Sequence, residues 1–223
     1  MLNLETRYAP AKATKPSSKL VEFMPGIELP GFCMPFERDS EVFGEGEPAD
    51  FAYKIISGVV RTLRVLDDGR RQISGFYFPG DIFGVEVGEE HANSAEAVTA
   101  CEIALVRQSA LLKRTGENCV AARELWAQTS QELKRTRSHL VLLGRQTAYE
   151  RVANFLLQMS SRQNAGESVS LPMSRTDIAD YLGLTIETVS RTLSQLERKG
   201  TIALLNCKHI AIRNRTTLEC SKH

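Results

Sequence analysis

The sequence predicts an α+β chain of two units joined by a long helix. Three observations predict it. Glycine-punctuated, β-prone runs fill the first half, one uninterrupted helical pattern follows, and two short capped helices with a hairpin pattern close the chain. At 223 residues, with 42% hydrophobic and 25% charged content, the chain can bury one or two ordinary cores and is neither disordered nor fibrous in composition.

Residues 1–20 mix Ala, Lys, Pro, Thr and Ser without apolar periodicity and read as a flexible tail. Over residues 21–118 a compact β unit is expected, with strands at Phe51 to Ile56, Val59 to Leu66, Ile73 to Phe78 and Ala97 to Val106. Gly58, Asp67-Asp68-Gly69 and Pro79-Gly80-Asp81 supply its turns. From Val120 to Leu143 the chain is rich in Ala, Leu, Glu, Gln and Arg and has no Pro or Gly, which predicts one helix within residues 119–144. Trp126, Leu133 and Leu140 recur seven apart, with Leu143 three further on, as the seam between two helices of a dimer requires. A stripe facing the chain's own β unit would show the same spacing.

Residues 145–212 hold the second unit. Val152, Phe155, Leu156 and Met159 share one face of a helix from Ala148 to Met159, and Ser160 to Gly166 reads as a loop. Ser174-Arg175-Thr176-Asp177 has capping-box form, Ile178, Ala179 and Leu182 give the helix an apolar face, and Gly183 ends it. Thr185 then caps a helix running to Arg198, with Gly200 as its stop. Ile186, Val189, Leu193 and Leu196 are expected to pack on the preceding helix, leaving Glu187, Thr188, Ser190 and Arg191 outward. Their chemistry suits the major groove: the Arg191 fork matches guanine O6 and N7, the Glu187 carboxylate accepts from a cytosine amino group, and Ser190 adapts to several base edges. Thr201 to Leu205 and His209 to Ile212, around Asn206-Cys207-Lys208, complete a winged helix-turn-helix, and residues 213–223 read as a tail. The candidate DNA-binding residues are therefore Glu187, Ser190, Arg191, Thr188, Thr185, Ser174 and Arg175.

Charge supports this division. Residues 145–223 carry 11 Lys and Arg against 7 Asp and Glu, whereas the rest carries 17 against 20. A basic C-terminal unit on a mildly acidic partner fits nucleic-acid binding confined to one end. Five widely spaced cysteines suggest neither a disulfide framework nor a paired-cysteine zinc site, and they fit a reducing compartment. With no apolar run of secretory or membrane-spanning length, a cytoplasmic protein without membrane contact is expected. No Ser/His/Asp order, paired-carboxylate site or phosphate-cradling glycine loop stands out, so the reading excludes an enzyme. The four histidines have no metal-ligand spacing.

The order of β unit, long helix and winged helix, with Gly58, Pro79-Gly80-Asp81, Thr185, Glu187, Ser190 and Arg191 in place, resembles the CRP/FNR family of bacterial transcription regulators. The likeness covers about Cys33 to Ile212, and Asp180 to Arg191 is its most specific segment. It implies an N-terminal cyclic-nucleotide-binding-like β-roll, a dimerisation helix and a homodimer on palindromic double-stranded DNA that recruits RNA polymerase. The E-x-x-S-R pattern belongs to the FNR branch, and Ile186 stands where the CRP branch has an arginine, which implies TTGA-like half-sites. FNR holds an iron–sulfur cluster with several cysteines before the β-roll, and this chain has only Cys33 there. Cyclic-AMP-binding members pair the phosphate with the arginine of R-S-A or R-T-A, and here the stretch reads Asn93-Ser94-Ala95. Lacking both signatures, the chain resembles FixK-type members, which implies an activator of microoxic or anaerobic genes with no cofactor. A ligand-gated regulator of the same fold, holding a small molecule or haem in the β-roll, is the alternative. Cys207, in the wing, is a redox candidate, since oxidation there adds bulk or charge near DNA phosphates.

Overall fold

In the computed structural model, which describes residues 19–86, 88–163 and 168–220, the β-prone half pairs as two antiparallel sheets. One has the order β1 (Lys19–Met24), β2 (Ile27–Phe36), β9 (Cys101–Arg107), β4 (Phe51–Ser57), β7 (Ile82–Phe83). The other has the order β3 (Glu41–Phe43), β8 (Ser94–Ala97), β5 (Val60–Val65), β6 (Arg71–Tyr77). Strand β9 is paired on both edges, by β2 and β4, and is packed on both faces, so its run Ile103-Ala104-Leu105-Val106 is apolar without alternation. Ile103 and Leu105 enter a core with Phe43, Tyr53 and Phe83, whereas Val106 joins Phe23, Leu111 and Ala121 where the helices begin.

Several expectations need correction. Lys19 and Leu20 open β1, where a tail was expected, and residues 1–18 lie outside the described residues. Strand β2 escapes sequence reading because Pro30, Gly31 and Pro35 look like loop punctuation. Gly31 is instead demanded by close packing, since a Cβ there would lie 2.5 Å from the Leu105 carbonyl oxygen. The predicted strand from Ala97 to Val106 is two strands, β8 and β9, divided at Val98 to Ala100.

A short helix, α1 (Gln108–Glu117), precedes the long α2 (Cys119–Arg145). Asn118 starts α2 by accepting from the Val120 and Ala121 amides at 2.9 and 3.1 Å. In α3 (Ala148–Arg162) Val152, Phe155, Leu156 and Met159 are buried as the periodicity requires, but the helix continues into the expected loop as far as Arg162. A strand that composition hides, β10 (Ser168–Ser170), joins the wing of β11 (Ile202–Leu204) and β12 (His209–Ile212) in a three-stranded sheet. The predicted C-terminal tail includes a helix, α6 (Arg215–Cys220). Asn214 accepts from the Thr217 amide at 2.9 Å to start it, and Leu218 anchors it in the core.

The second unit is not tethered loosely to the first. Ile73, Phe76 and Val98 of the β half share one apolar cluster with Phe155, Leu156, Ile178, Tyr181 and Leu193. Phe76 meets the rings of Phe155 and Tyr181 with centroids 6.4 and 5.3 Å apart. Burial therefore continues across both units, and their relative placement is part of the packing.

Candidate DNA-reading site

Two helices carry the predicted readers, α4 (Arg175–Leu182) and α5 (Ile186–Arg198). Ser174 and Asp177 form a reciprocal capping box: the Asp177 amide donates to Ser174 Oγ at 3.0 Å, and the Ser174 amide donates to Asp177 Oδ2 at the same distance. Gly183 ends α4 at φ 60°, a left-handed conformation that a Cβ disfavours. Thr185 then caps α5, accepting from the Thr188 amide at 3.3 Å. Val189, Leu193 and Leu196 are buried against α4 and α3, which fixes the opposite face of α5 outward.

That face carries Glu187, Ser190 and Arg191, all exposed at the N-terminal half of the helix. The Glu187 carboxyl is held below its usual range by its own backbone amide, by the Thr185 hydroxyl and by nearby Arg191, so it remains an acceptor at neutral pH. Arg191 forms no ion pair among the described residues, which leaves its fork free. Thr188 is half-buried, its hydroxyl 3.1 Å from that of Thr185, and serves the cap as much as the surface. Ser174 is exposed, but its hydroxyl is engaged by Asp177 at 2.8 Å. Arg175, half-buried in the first turn of α4, has a buried Nη1 with no hydrogen-bond partner. Ile186 departs from expectation. It is 41% exposed at the start of α5 rather than packed on α4, because the turn from Gly183 to Thr185 carries the first helical residue past that contact.

In the wing, Asn206 Oδ1 accepts from the Lys208 and His209 amides at 2.8 and 2.9 Å and shapes the turn that presents Cys207 to solvent. The long helix α2 exposes Trp126 (74%), Leu133 (49%) and Leu140 (64%), so the stripe is not buried against the chain's own β half, although Leu140 borders a cavity between the two. Leu143 differs: it is half-buried, packed on the C-terminal core, and its Cδ2 would lie 3.4 Å from a Cβ at Gly183.

Between α2 and the β half lies a cavity of about 470 Å³, lined among others by Gln72, Glu86, Asn93, Gln128, Glu132 and Thr136. Arg135 also borders it, but its guanidinium is paired with Asp81 at 3.3 Å. Asn93 is thus a lining residue, while Ser94 Oγ accepts from the Glu45 amide at 2.9 Å and Ala95 is buried. Cys33 is exposed on β2, and the buried Cys101 thiol donates to the Val59 carbonyl at 3.2 Å.

Comparison with known proteins places these features in a family. A family model described as a cyclic nucleotide-binding domain matches residues 33–117, and one described as a Crp-like helix-turn-helix domain matches residues 150–221. The nitrogen fixation regulation protein FixK of Azorhizobium caulinodans is 48% identical over 188 residues, covering 82% of this chain and 76% of that protein. FixK of Rhizobium meliloti is 40% identical, covering 92% and 94%. The solved structure of FixK2 from Bradyrhizobium japonicum superposes with a TM-score of 0.84 at 46% identity, covering 87% of this chain and 98% of that one. No described helix is long and apolar enough to cross a membrane. With reading helix, β half and relatives in agreement, the chain belongs to the CRP/FNR family as a FixK-type, DNA-binding transcription regulator and not an enzyme.

Proposed function

We propose that the protein is a cytoplasmic transcription activator of microoxic or anaerobic genes that binds a palindrome of TTGA-like half-sites as a homodimer and recruits RNA polymerase. The observation that carries this reading is the outward triad Glu187, Ser190 and Arg191 on a capped helix whose other face is buried. Presented at a helix N-terminus, this set can enter a major groove: Arg191 pairs with guanine, Glu187 accepts from a cytosine amino group on the complementary strand, and Ser190 adapts between them. The exposed Ile186 supplies an apolar contact of the kind that recognises a thymine methyl. Thr185, Thr188 and Ser174 hold the two helix starts, and the half-buried Arg175 adds a positive charge at the start of α4, where phosphates would approach.

Dimerisation is supported by the exposed Trp126, Leu133 and Leu140 stripe, with Leu143 contributing at its end where it also braces the C-terminal core. Independence from cyclic nucleotide is supported by the cavity: Asn93 offers hydrogen bonds but no charge for a phosphate, and Arg135 is already neutralised by Asp81. Independence from an iron–sulfur cluster is supported by the single cysteine, Cys33, that precedes most of the β half.

The test is base reading. Arg191→Ala should cost about 1–3 kcal/mol of discrimination at the guanine of each half-site, read as the affinity ratio for a TTGA-type palindrome over a guanine-substituted one. An unchanged ratio would contradict the role given to Arg191.

A further inference from the structure

Beneath α4 lies a buried charge cluster that joins the β half to the reading helices. Arg61, on β5, is 6% exposed. Its Nη1 donates to Asp177 Oδ1 at 3.0 Å, its Nη2 lies 2.7 Å from Glu96 Oε2, and a third carboxylate, Asp39, is 3.4 Å away. Arg71, on β6, reaches the same Asp177 oxygen at 3.4 Å and Asp180 Oδ2 at 3.7 Å. Gln72 donates to the Asp180 carbonyl at 2.9 Å. Asp177 is 4% exposed and divides its two oxygens: Oδ2 closes the cap of α4 with Ser174, and Oδ1 receives the arginines of the β half.

A buried ion pair adds little net stability, because desolvating the charges offsets their attraction, but it fixes geometry tightly. Any rotation of α4 would strip a buried carboxylate or guanidinium of its partner. Helix α5 rides on α4 through Val189 and Leu193 against Ile178 and Leu182, across a turn of three residues. The angle set at Asp177 is therefore inherited by Glu187, Ser190 and Arg191.

We propose that Arg61, which lies in the β half and itself reads no base, is a positioning residue for DNA recognition, fixing through Asp177 the angle at which each subunit presents its reading helix. This inference rests on the two-fold site proposed above. In a two-fold complex that angle sets the separation of the two reading helices. Inserting one base pair between half-sites displaces one of them by about 3.4 Å and turns it by about 35°, which a fixed reading unit cannot follow. The wild type should therefore favour one spacer over the two that differ by one base pair, by about tenfold or more.

The experiment compares these three spacers, and an isolated half-site, for full-length wild type and for Arg61→Met combined with Asp177→Asn. The double variant removes both buried charges, keeps an acceptor for the cap, and leaves Glu96 and Asp39 free to hydrate. Expected are a fall in spacer preference to about threefold or less, an unchanged affinity for the isolated half-site and an unchanged dimer mass. Arg61→Lys, which keeps the charge, should retain most of the preference, whereas a merely packing role would let Arg61→Met alone, similar in length but uncharged, retain it equally. Where the double variant does not fold, the half-exposed pair Arg71→Gln with Gln72→Ala is read by the same criterion. A variant that folds, dimerises and keeps the wild-type spacer preference would overturn the inference and leave the proposed function standing. A wild type indifferent to spacer would overturn the two-fold reading itself, and the inference with it.

Discussion

The packed frame of the molecule and its reading face treat their arginines differently. In the β half and along α2, Arg61, Arg71 and Arg135 are paired with carboxylates, and Arg162 of α3 donates to Asp81 and the Phe76 carbonyl. On the reading face, the exposed Arg191 forms no ion pair among the described residues. A guanidinium already bound to carboxylates is part of the frame, whereas one left open is available to a ligand. By this criterion the β half is a scaffold for the C-terminal unit, and among the described residues lining its cavity the one arginine, Arg135, is already paired with Asp81. The recognition chemistry is concentrated on one turn and a half of α5.

The comparison breaks most visibly if the scaffold fails to bring two readers together. Replacing both Leu133 and Leu140 by Glu places charges on the exposed apolar stripe of α2, and a helix seam cannot bury them unpaired. The variant should sediment as a monomer, and its affinity for the full palindrome should fall by roughly 100-fold or more, since each reader then binds without its twin. A dimer with native affinity would show that the subunits meet elsewhere.

A smaller effect tests whether scaffold and reader share one core. Phe155 is fully buried beside Phe76 of the β half, and Phe155→Ala should cost about 3–5 kcal/mol in chemical denaturation. Because the apolar cluster is continuous, fluorescence of Trp126 and far-ultraviolet circular dichroism should report the same transition. Separate transitions would contradict a common core.

The smallest effect concerns protons. His91 is buried, stacked on Phe43 with centroids 3.7 Å apart, and burial lowers its pKa to about 4; burial also lowers that of His139, which lies 2.8 Å from the Tyr181 carbonyl. Both side chains titrate more easily when unfolded, so their neutral forms favour the folded state. Stability should be full above pH 6.5, the ordinary histidine value, and should decline as pH falls from there toward 4. His91→Phe should flatten that decline, and an unaltered slope would remove His91 from the account.

What the sequence made legible was local. Capping residues, the 3.6-residue period and a left-handed glycine lie within a few positions of one another, so the segment from Ser174 to Arg198 could be read directly, including the outward placement of Glu187, Ser190 and Arg191. Ile186 was misread because periodicity alone ignores how a tight turn orients the first helical residue. Strand β2 was hidden by two prolines and a glycine whose requirement comes from Leu105, far along the chain. The C-terminal helix was hidden by polar composition around a single anchor, Leu218. Arg61 and Asp177 are 116 residues apart, and nothing in either neighbourhood announces the pair. The seven-residue spacing of Trp126, Leu133 and Leu140 was evident in the sequence, but that Leu143 braces Gly183 needed three dimensions.

The claim that the β half supports reading without gating it is tested most directly by the purified full-length protein in air, with neither cyclic nucleotide nor iron supplied. Fluorescence anisotropy on a TTGA-type palindrome and on its scrambled counterpart should show specific binding at least about 10³-fold tighter than non-specific binding at physiological salt, unchanged by added cyclic AMP. Specific binding that arises only when cyclic AMP, or reconstitution with iron and sulfide, is provided would contradict it.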